Sequence, residues 1–389
     1  MASGPRIAVV GLGSIGAMTS WQLARRGATV TGFEQYSPGH DRGAHGGETR
    51  IFRTAYLESP DYVPLLQRAR ALWRELEAET GADLLHLGGV LTIGSGATAE
   101  MGNIRTSVES YGLDVEELTP AAARSRYPQH TFEDDDAVVL DRDAGLLRPE
   151  LAVLHAGLRA ETLGATVHRY TRVTAVEPDD RGVVVRSDAG EERFDHAVVS
   201  TGPWAMELLE RLGYAAGTIH VRRPVQAWFP ARDPSLFRAD RCPVFIRLTP
   251  LHCYGLPATD GSGLKLGLSY EDNLPVDDPR ALDRTVTVAE LEKFRDTARR
   301  LLPQVYPDPT RVSAYMEGYT ADHHALVGRL PGSDRVTVLA GFSGHGFKLA
   351  PAFGELGADT ALGAAGTPPI PQLDPARPLG PPPGDFTVL

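Results

Sequence analysis

Residues 6–10, Arg-Ile-Ala-Val-Val, form a short apolar run without polar alternation, the pattern of a strand buried on both faces. The run passes directly into Gly11-Leu-Gly-Ser-Ile-Gly16. A helical pattern follows to Arg26, with Gly27 as its C-terminal cap, and residues 28–34 read as a second strand. Strand, glycine turn, helix and strand in that order predict a βαβ unit of the dinucleotide-binding kind. Between 62 and 80, Leu65, Leu66, Ala69, Leu72, Trp73 and Leu76 recur at helical spacing and predict an amphipathic helix. Residues 84–140 mix strand, helix and loop signals. Helical patterning returns over 148–163, and several short β-segments follow over 167–199. From 219 to 319 the alternation is β-like, around one helix at 288–302. A strand at 335–340 then leads into Gly341-Phe-Ser-Gly-His-Gly-Phe-Lys348 and a last helix to about 362.

This alternation predicts an α/β fold of two domains with no internal repeat. One is a Rossmann-like dinucleotide-binding domain built from separated segments, 1–83, 145–215 and 325–370. The other is a β-sheet-rich substrate domain over 84–144 and 216–324, and 371–389 forms a proline-rich tail. A net charge of −11 argues against nucleic-acid or anionic-membrane partners, which call for a basic face. The acidic run Glu133-Asp-Asp-Asp136 reads as a solvated loop. No stretch of 18 apolar residues and no long hydrophobic leader occur, so neither membrane span nor signal peptide is expected. Two cysteines, Cys242 and Cys253, make no disulfide framework and suit the cytoplasm.

Within the βαβ unit, Gly11 allows the tight turn, Gly13 lets backbone approach a pyrophosphate, and Gly16 lets helix and strand pack closely. Glu34, 18 residues beyond Gly16, ends the second strand, where a carboxylate accepts from ribose hydroxyls. These residues alone do not separate FAD from NAD. Lysine usage adds a second signal. Of 39 basic residues only Lys265, Lys293 and Lys348 are lysine, leaving 36 arginines. Lys293 lies in a polar helical stretch and reads as surface. Lys265 and Lys348 instead lie in glycine-flanked apolar segments, where a compact ammonium has a use that a guanidinium does not. The adjacent pair His323-His324 is read as strand residues pointing to opposite faces, so no metal site is expected.

Gly46-Gly-Glu-Thr-Arg-Ile-Phe-Arg53, Gly263-Leu-Lys-Leu-Gly267 and Ala340-Gly-Phe-Ser-Gly-His-Gly-Phe-Lys348 resemble the flavin-dependent amine oxidases of the monomeric sarcosine oxidase and N-methyltryptophan oxidase family. The resemblance runs to about residue 365. It implies a two-domain fold, FAD, and oxidation of an amine C–N bond with dioxygen reduced to peroxide. By resemblance Arg53 and Lys348 hold a substrate carboxylate, and Lys265 is the cation at which dioxygen is reduced. A fork plus a point charge orients a carboxylate well, and a fixed positive charge stabilises developing superoxide. Exposed loop charges for Arg50 and Arg53, and a snorkelling strand lysine for Lys265, stay open as alternatives. Tyr254 matches an active-site tyrosine but also suits a β-rich core. The flavin-binding set is Gly11, Gly13, Ser14, Ile15, Gly16, Glu34, Gly43, Thr49, Arg50, Val173, Gly202, Gly344, His345, Gly346, Phe347 and Lys348. Gly344 to Phe347 are expected to start the last helix, with N–H groups facing the flavin. His345 is equally read as a cap or packing residue.

The chain departs from the family at several places. The family's flavin-linking cysteine falls at Tyr315, which implies non-covalent FAD. The aromatic two residues on becomes Glu317, Ser269 stands for a histidine, and Phe245 for a methionine. Glu317 either binds a second polar group on a substrate larger than sarcosine or pairs with an arginine such as Arg247. The function expected is FAD-dependent oxidation of an amino acid or N-alkyl amino acid by a monomer or small homo-oligomer. A dehydrogenase or glycine-oxidase-like enzyme with another electron acceptor, and a non-catalytic flavin-binding protein, are the alternatives.

Overall fold

The computed structural model describes residues 4–215, 217–364 and 369–380. The end of the proline-rich tail, 381–389, lies outside the described residues. Strand β1 (Arg6–Val10) sits inside a six-stranded sheet, parallel to β2 (Thr29–Phe33) on one side and His196–Val199 on the other. Thr166–His168 extends it beyond β2 and Val336–Ala340 beyond His196–Val199, both parallel, while Leu326–Arg329 closes one edge antiparallel. A strand apolar on both faces needs cover on both. Ile7 and Val9 pack under helix α1 (Ser14–Arg25) with the helices Pro149–Thr162 and Ala350–Ala361. Ala8 and Val10 face a three-stranded meander through Val176, Val185 and Phe194. Helix α2 (Val63–Thr80) buries the six residues that its spacing marks, and a 3-10 turn, Pro60–Tyr62, precedes it.

The second layer is an eight-stranded sheet running Arg311–Ala314, Val225–Pro230, Gly263–Leu268, Cys253–Pro257, Val244–Arg247, Val90–Ser95, Asp136–Asp141 and Val115–Leu118. Its pairings are antiparallel except for Val244–Arg247 against Val90–Ser95. Helix Val288–Leu301 packs Phe294, Ala298 and Leu301 against it, started by a capping box between Thr287 and Glu290. Two three-stranded sheets lie between the layers. One joins Leu274–Val276, Ile219–Arg223 and Glu317–Thr320, the other Arg50–Phe52, Gly145–Leu147 and Leu85–His86.

Three local readings change. The last helix begins at Ala350; Ser343 to His345 form a turn, and Phe347–Leu349 a 3-10 turn before it. Ser343 and Gly344 both have positive φ, so the glycine run breaks helical geometry instead of starting it. His323 and His324 sit in a turn between two strands, not on a strand. Asp136 is not solvated loop: it opens a strand and is buried 3.3 Å from Arg247.

The glycine turn divides its work by position. Gly11 holds φ +85°, and a Cβ there would stand 2.5 Å from the Ser200 carbonyl oxygen. A Cβ on Gly16 would stand 1.9 Å from the Gly11 carbonyl oxygen, whereas one on Gly13 would meet only His45, at 3.8 Å. The outer two glycines serve packing, and the middle one leaves room for a ligand. Gly16→Ala should therefore force the turn apart, an overpacking cost of about 1–3 kcal/mol. In a thermal melt of the ligand-free protein, Gly16→Ala should lower Tm by several degrees while Gly13→Ala stays close to wild type.

Candidate active site

The glycine turn opens on a cavity of about 1180 Å3 of empty space. Gly11, Gly13, Ser14 and Ile15 line one end, where the first N–H groups of α1 present the positive end of its dipole. Gly16 lies beneath the turn. Glu34 follows β2 at the same end, its carboxylate accepting from Leu12 N and Tyr36 N, each at 2.9 Å. Burial works against its charge, yet His40 and these two N–H groups hold its pKa below the usual carboxylate range. Gly43, Arg50, Val173, Gly202, Gly344, Gly346, Phe347 and Glu317 line it as well.

His45 also faces this cavity, and the sequence reading gave it no role. Burial drives its pKa down to about 3, so the imidazole is neutral, and its Nε2 has no hydrogen-bond partner among the described residues. A buried nitrogen left in that state calls for a ligand. A positive helix end, an ionised carboxylate after the second strand and this nitrogen suit a dinucleotide, so the FAD that the resemblance implies fits the residues present.

The loop from Gly43 to Thr49 contributes Gly43, Ala44 and His45 to this cavity and Thr49 to a smaller one. Arg50 braces the loop, Nη2 donating to the Ala44 and Gly46 carbonyls at 2.6 Å each and Nη1 to Thr49 at 2.9 Å. Lys265, on the strand Gly263–Leu268, donates from Nζ to the Gly47 and Thr49 carbonyls at 3.0 and 2.6 Å. Lys265 lines neither cavity. Burial first, and then Arg50, depress its pKa well below that of an ordinary lysine.

The smaller cavity shares Arg50, Glu317, Gly344 and Phe347 with the larger one. Thr49, His345 and Lys348 line it and not the dinucleotide cavity, together with Arg53 and Tyr254. Arg53 follows β3 (Arg50–Phe52) and is buried. One of its nitrogens pairs with Glu58, a residue the sequence reading missed because nothing local marks a glutamate five residues on. Burial opposes the Glu58 charge, but Arg53 and then Lys348 hold its pKa down. Arg53 Nε and Nη1 have no partner among the described residues. Lys348 Nζ donates to the His345 carbonyl at 3.2 Å and lies 5.5 Å from the centre of the Tyr56 ring, and burial followed by Arg53 lowers its pKa to about 7. The wall thus holds two cations with one carboxylate between them.

The surroundings fix these groups. Asp141 accepts from Thr54 N and Ala55 N, both at 2.8 Å, pinning the backbone just after Arg53. His345 Nε2 lies 2.9 Å from the His323 carbonyl and must donate to it, so Nδ1 accepts from the Tyr56 hydroxyl at 2.9 Å. Burial takes the His345 pKa to about 4, keeping that ring neutral. Tyr254, on Cys253–Pro257, is raised to about 12 by burial and stays a phenol. Glu317 hydrogen-bonds Tyr319 Oη through Oε2 at 2.7 Å. Arg247, offered as its partner, is committed to Asp136 and belongs to a different wall. Tyr315 is buried outside both cavities, its ring so near Gly46 that a Cβ there would stand 2.5 Å from it. Cys242 and Cys253 are free, buried, and pushed up to about 12 by burial. Phe245 packs against Gly255, and Ser269 lies 3.4 Å from Asp272. Among the described residues no metal-binding cluster occurs, and no helix is long and apolar enough to cross a membrane.

Residues 6–360 match the DAO family, described as FAD dependent oxidoreductase. The chain is 33% identical over 375 residues to a monomeric sarcosine oxidase of Streptomyces avermitilis, covering 95% of this chain and 97% of that protein. It is 32% identical over 359 residues to an N-methyl-L-tryptophan oxidase of Salmonella dublin, covering 91% and 94%. Among solved structures it is similar to NikD, an unusual amino acid oxidase essential for nikkomycin biosynthesis, with TM-score 0.83, 25% identity and coverage of 96% and 98%. Glycine oxidase from Geobacillus kaustophilus, at 22% identity, TM-score 0.81 and coverage of 97% and 100%, shares the fold.

Removing the carboxylate between the two cations should be costly to the fold itself. Glu58→Ala leaves Arg53 buried without its counter-charge, a loss of about 3–5 kcal/mol. Urea unfolding should show that loss, and a smaller one for Arg53→Met/Glu58→Leu, which removes both charges together.

Proposed function

The chain belongs to the DAO family of FAD-dependent oxidoreductases, and from that premise we propose that it oxidises the C–N bond of an amino acid or N-alkyl amino acid with dioxygen as acceptor. The observation that carries the reading is the wall of the smaller cavity. Arg53, with two guanidinium nitrogens without partners among the described residues, and Lys348, whose Nζ donates to one backbone carbonyl, present an anchor for a carboxylate. The anchor lies in the smaller cavity, which meets the dinucleotide cavity at Arg50, Glu317, Gly344 and Phe347. A carboxylate held there directs the α-carbon and amine of the substrate toward the larger cavity, and fixed orientation of that kind removes much of the entropic part of a barrier. FAD, when bound, takes two electrons from the C–N unit and passes them to dioxygen. Neutral Tyr254 and neutral His345 leave the carboxylate as the anion that these cations meet. The two free cysteines fit a reducing compartment, and we place the protein in the cytoplasm.

FAD is held here without a covalent bond. By the resemblance Tyr315 falls at the position of the family's flavin-linking cysteine, and both thiols, Cys242 and Cys253, are free and buried. Acid precipitation should release all of the yellow colour into the supernatant; colour remaining with the pellet would contradict this.

A second reading, electron transfer to an acceptor other than dioxygen, draws on Lys265. Its ammonium is taken up by two carbonyls and stands behind the cavity walls. Peroxide yield in air separates the two. With dioxygen as acceptor, Lys265→Met should slow flavin reoxidation by about a hundredfold or more and reduction by substrate far less, as measured by stopped flow.

The Lys348 pKa sets a pH dependence. With a folded value of about 7, the ammonium is charged below that pH and neutral above it. Binding of a plain carboxylate such as propionate, read from the flavin spectrum, should therefore weaken as pH rises through 7. Lys348→Met should therefore bind more weakly at low pH and lose the slope.

A further inference from the structure

Glu317 occupies a position that the carboxylate anchor does not explain. It lies on the strand Glu317–Thr320, opposite Arg222 in the small sheet between the two layers. That sheet also brings Asn273 to the cavity, just ahead of its edge strand Leu274–Val276, and Pro224, just after Ile219–Arg223. The smaller cavity thus has two kinds of wall. Arg53, Glu58 and Lys348 come from β3, the loop after it and the turn before the last helix. Glu317 and Asn273 come from the small sheet. Glu317 Oε2 is taken by Tyr319, and Oε1 has no hydrogen-bond partner among the described residues.

The charges of this cavity decide what Glu317 faces. Its cationic side chains are Arg50, Arg53 and Lys348, and its carboxylates are Glu58 and Glu317. Tyr254 and His345 are neutral at working pH. A substrate with a cationic side chain would add a further positive charge to a wall that already holds Arg50, Arg53 and Lys348, and one with an acidic side chain would set a second carboxyl group against Glu317.

We propose that Glu317, with Asn273, forms a specificity wall that selects amino acids whose side chain ends in an uncharged hydrogen-bond donor: a hydroxyl, a carboxamide or an indole N–H. This rests on the reading of the chain as an amino-acid oxidoreductase. The free carboxylate oxygen accepts from that donor, and the Asn273 amide offers it a second polar contact. Burial raises the Glu317 pKa, with Arg50 and Tyr319 acting in the other direction. An acceptor oxygen remains in either protonation state.

The test is anaerobic bleaching of the holoenzyme by matched pairs, tyrosine with phenylalanine and glutamine with methionine, each also as its N-methyl form, and by glutamate and lysine. The donor member of each pair should give a second-order reduction rate about tenfold or more above its partner, the size expected of one hydrogen bond to a charged group. Glutamate and lysine should be the slowest. Glu317→Leu should collapse the ratio within each pair toward one. Glu317→Gln, which keeps an acceptor oxygen and removes the charge, should keep the ratio and admit glutamate, so the test holds even if the leucine variant loses its flavin. Equal rates within the pairs, or a ratio untouched in Glu317→Leu, would overturn the assignment while leaving the oxidase reading intact. Bleaching by none of these amino acids would overturn both.

Discussion

Buried positive charge has to be met by something, and in this protein a single loop meets much of it. The carbonyls of Ala44, Gly46, Gly47 and Thr49 turn toward Arg50 and Lys265, while the N–H groups of Gly47 and Glu48 turn the other way, onto the Glu150 carboxylate. The loop's donors and acceptors are thereby sorted to opposite sides. Such sorting needs unusual backbone, and Gly47 and Glu48 both have positive φ. The loop contributes residues to both cavities, so its geometry bears on each.

The same requirement shapes the substrate wall. Burial and then repulsion by Arg53 lower the Lys348 pKa, an effect that Glu58 and, in the proposed complex, a ligand carboxylate oppose. The site therefore stores an unmet need for one anion. Fixed tautomers and high phenol pKa values around it ensure that no neighbouring side chain supplies that anion instead.

Much of this was legible in the sequence, for reasons that differ by residue. The glycine turn, Glu34, Lys265 and Lys348 sit in short contiguous motifs whose chemistry is local, and the six apolar positions of α2 repeat at a fixed spacing. Glu58, His45 and Asn273 carry no such mark. Their importance comes from what stands across the cavity, and sequence distance says nothing of that. Asp136 misled because three preceding acids made it look solvated, whereas a buried arginine 111 residues away claimed it. The glycine run before Lys348 misled because its positive-φ residues turn the chain once before helix geometry can begin.

Asp141 has a consequence of another kind. It ends a strand of the eight-stranded sheet and grips the backbone beside Arg53, while Lys348 leads into the helix that covers the six-stranded sheet. The two halves of the carboxylate anchor are therefore mounted on different layers of the molecule. In the proposed complex, a substrate carboxylate seated between them would join the two layers directly.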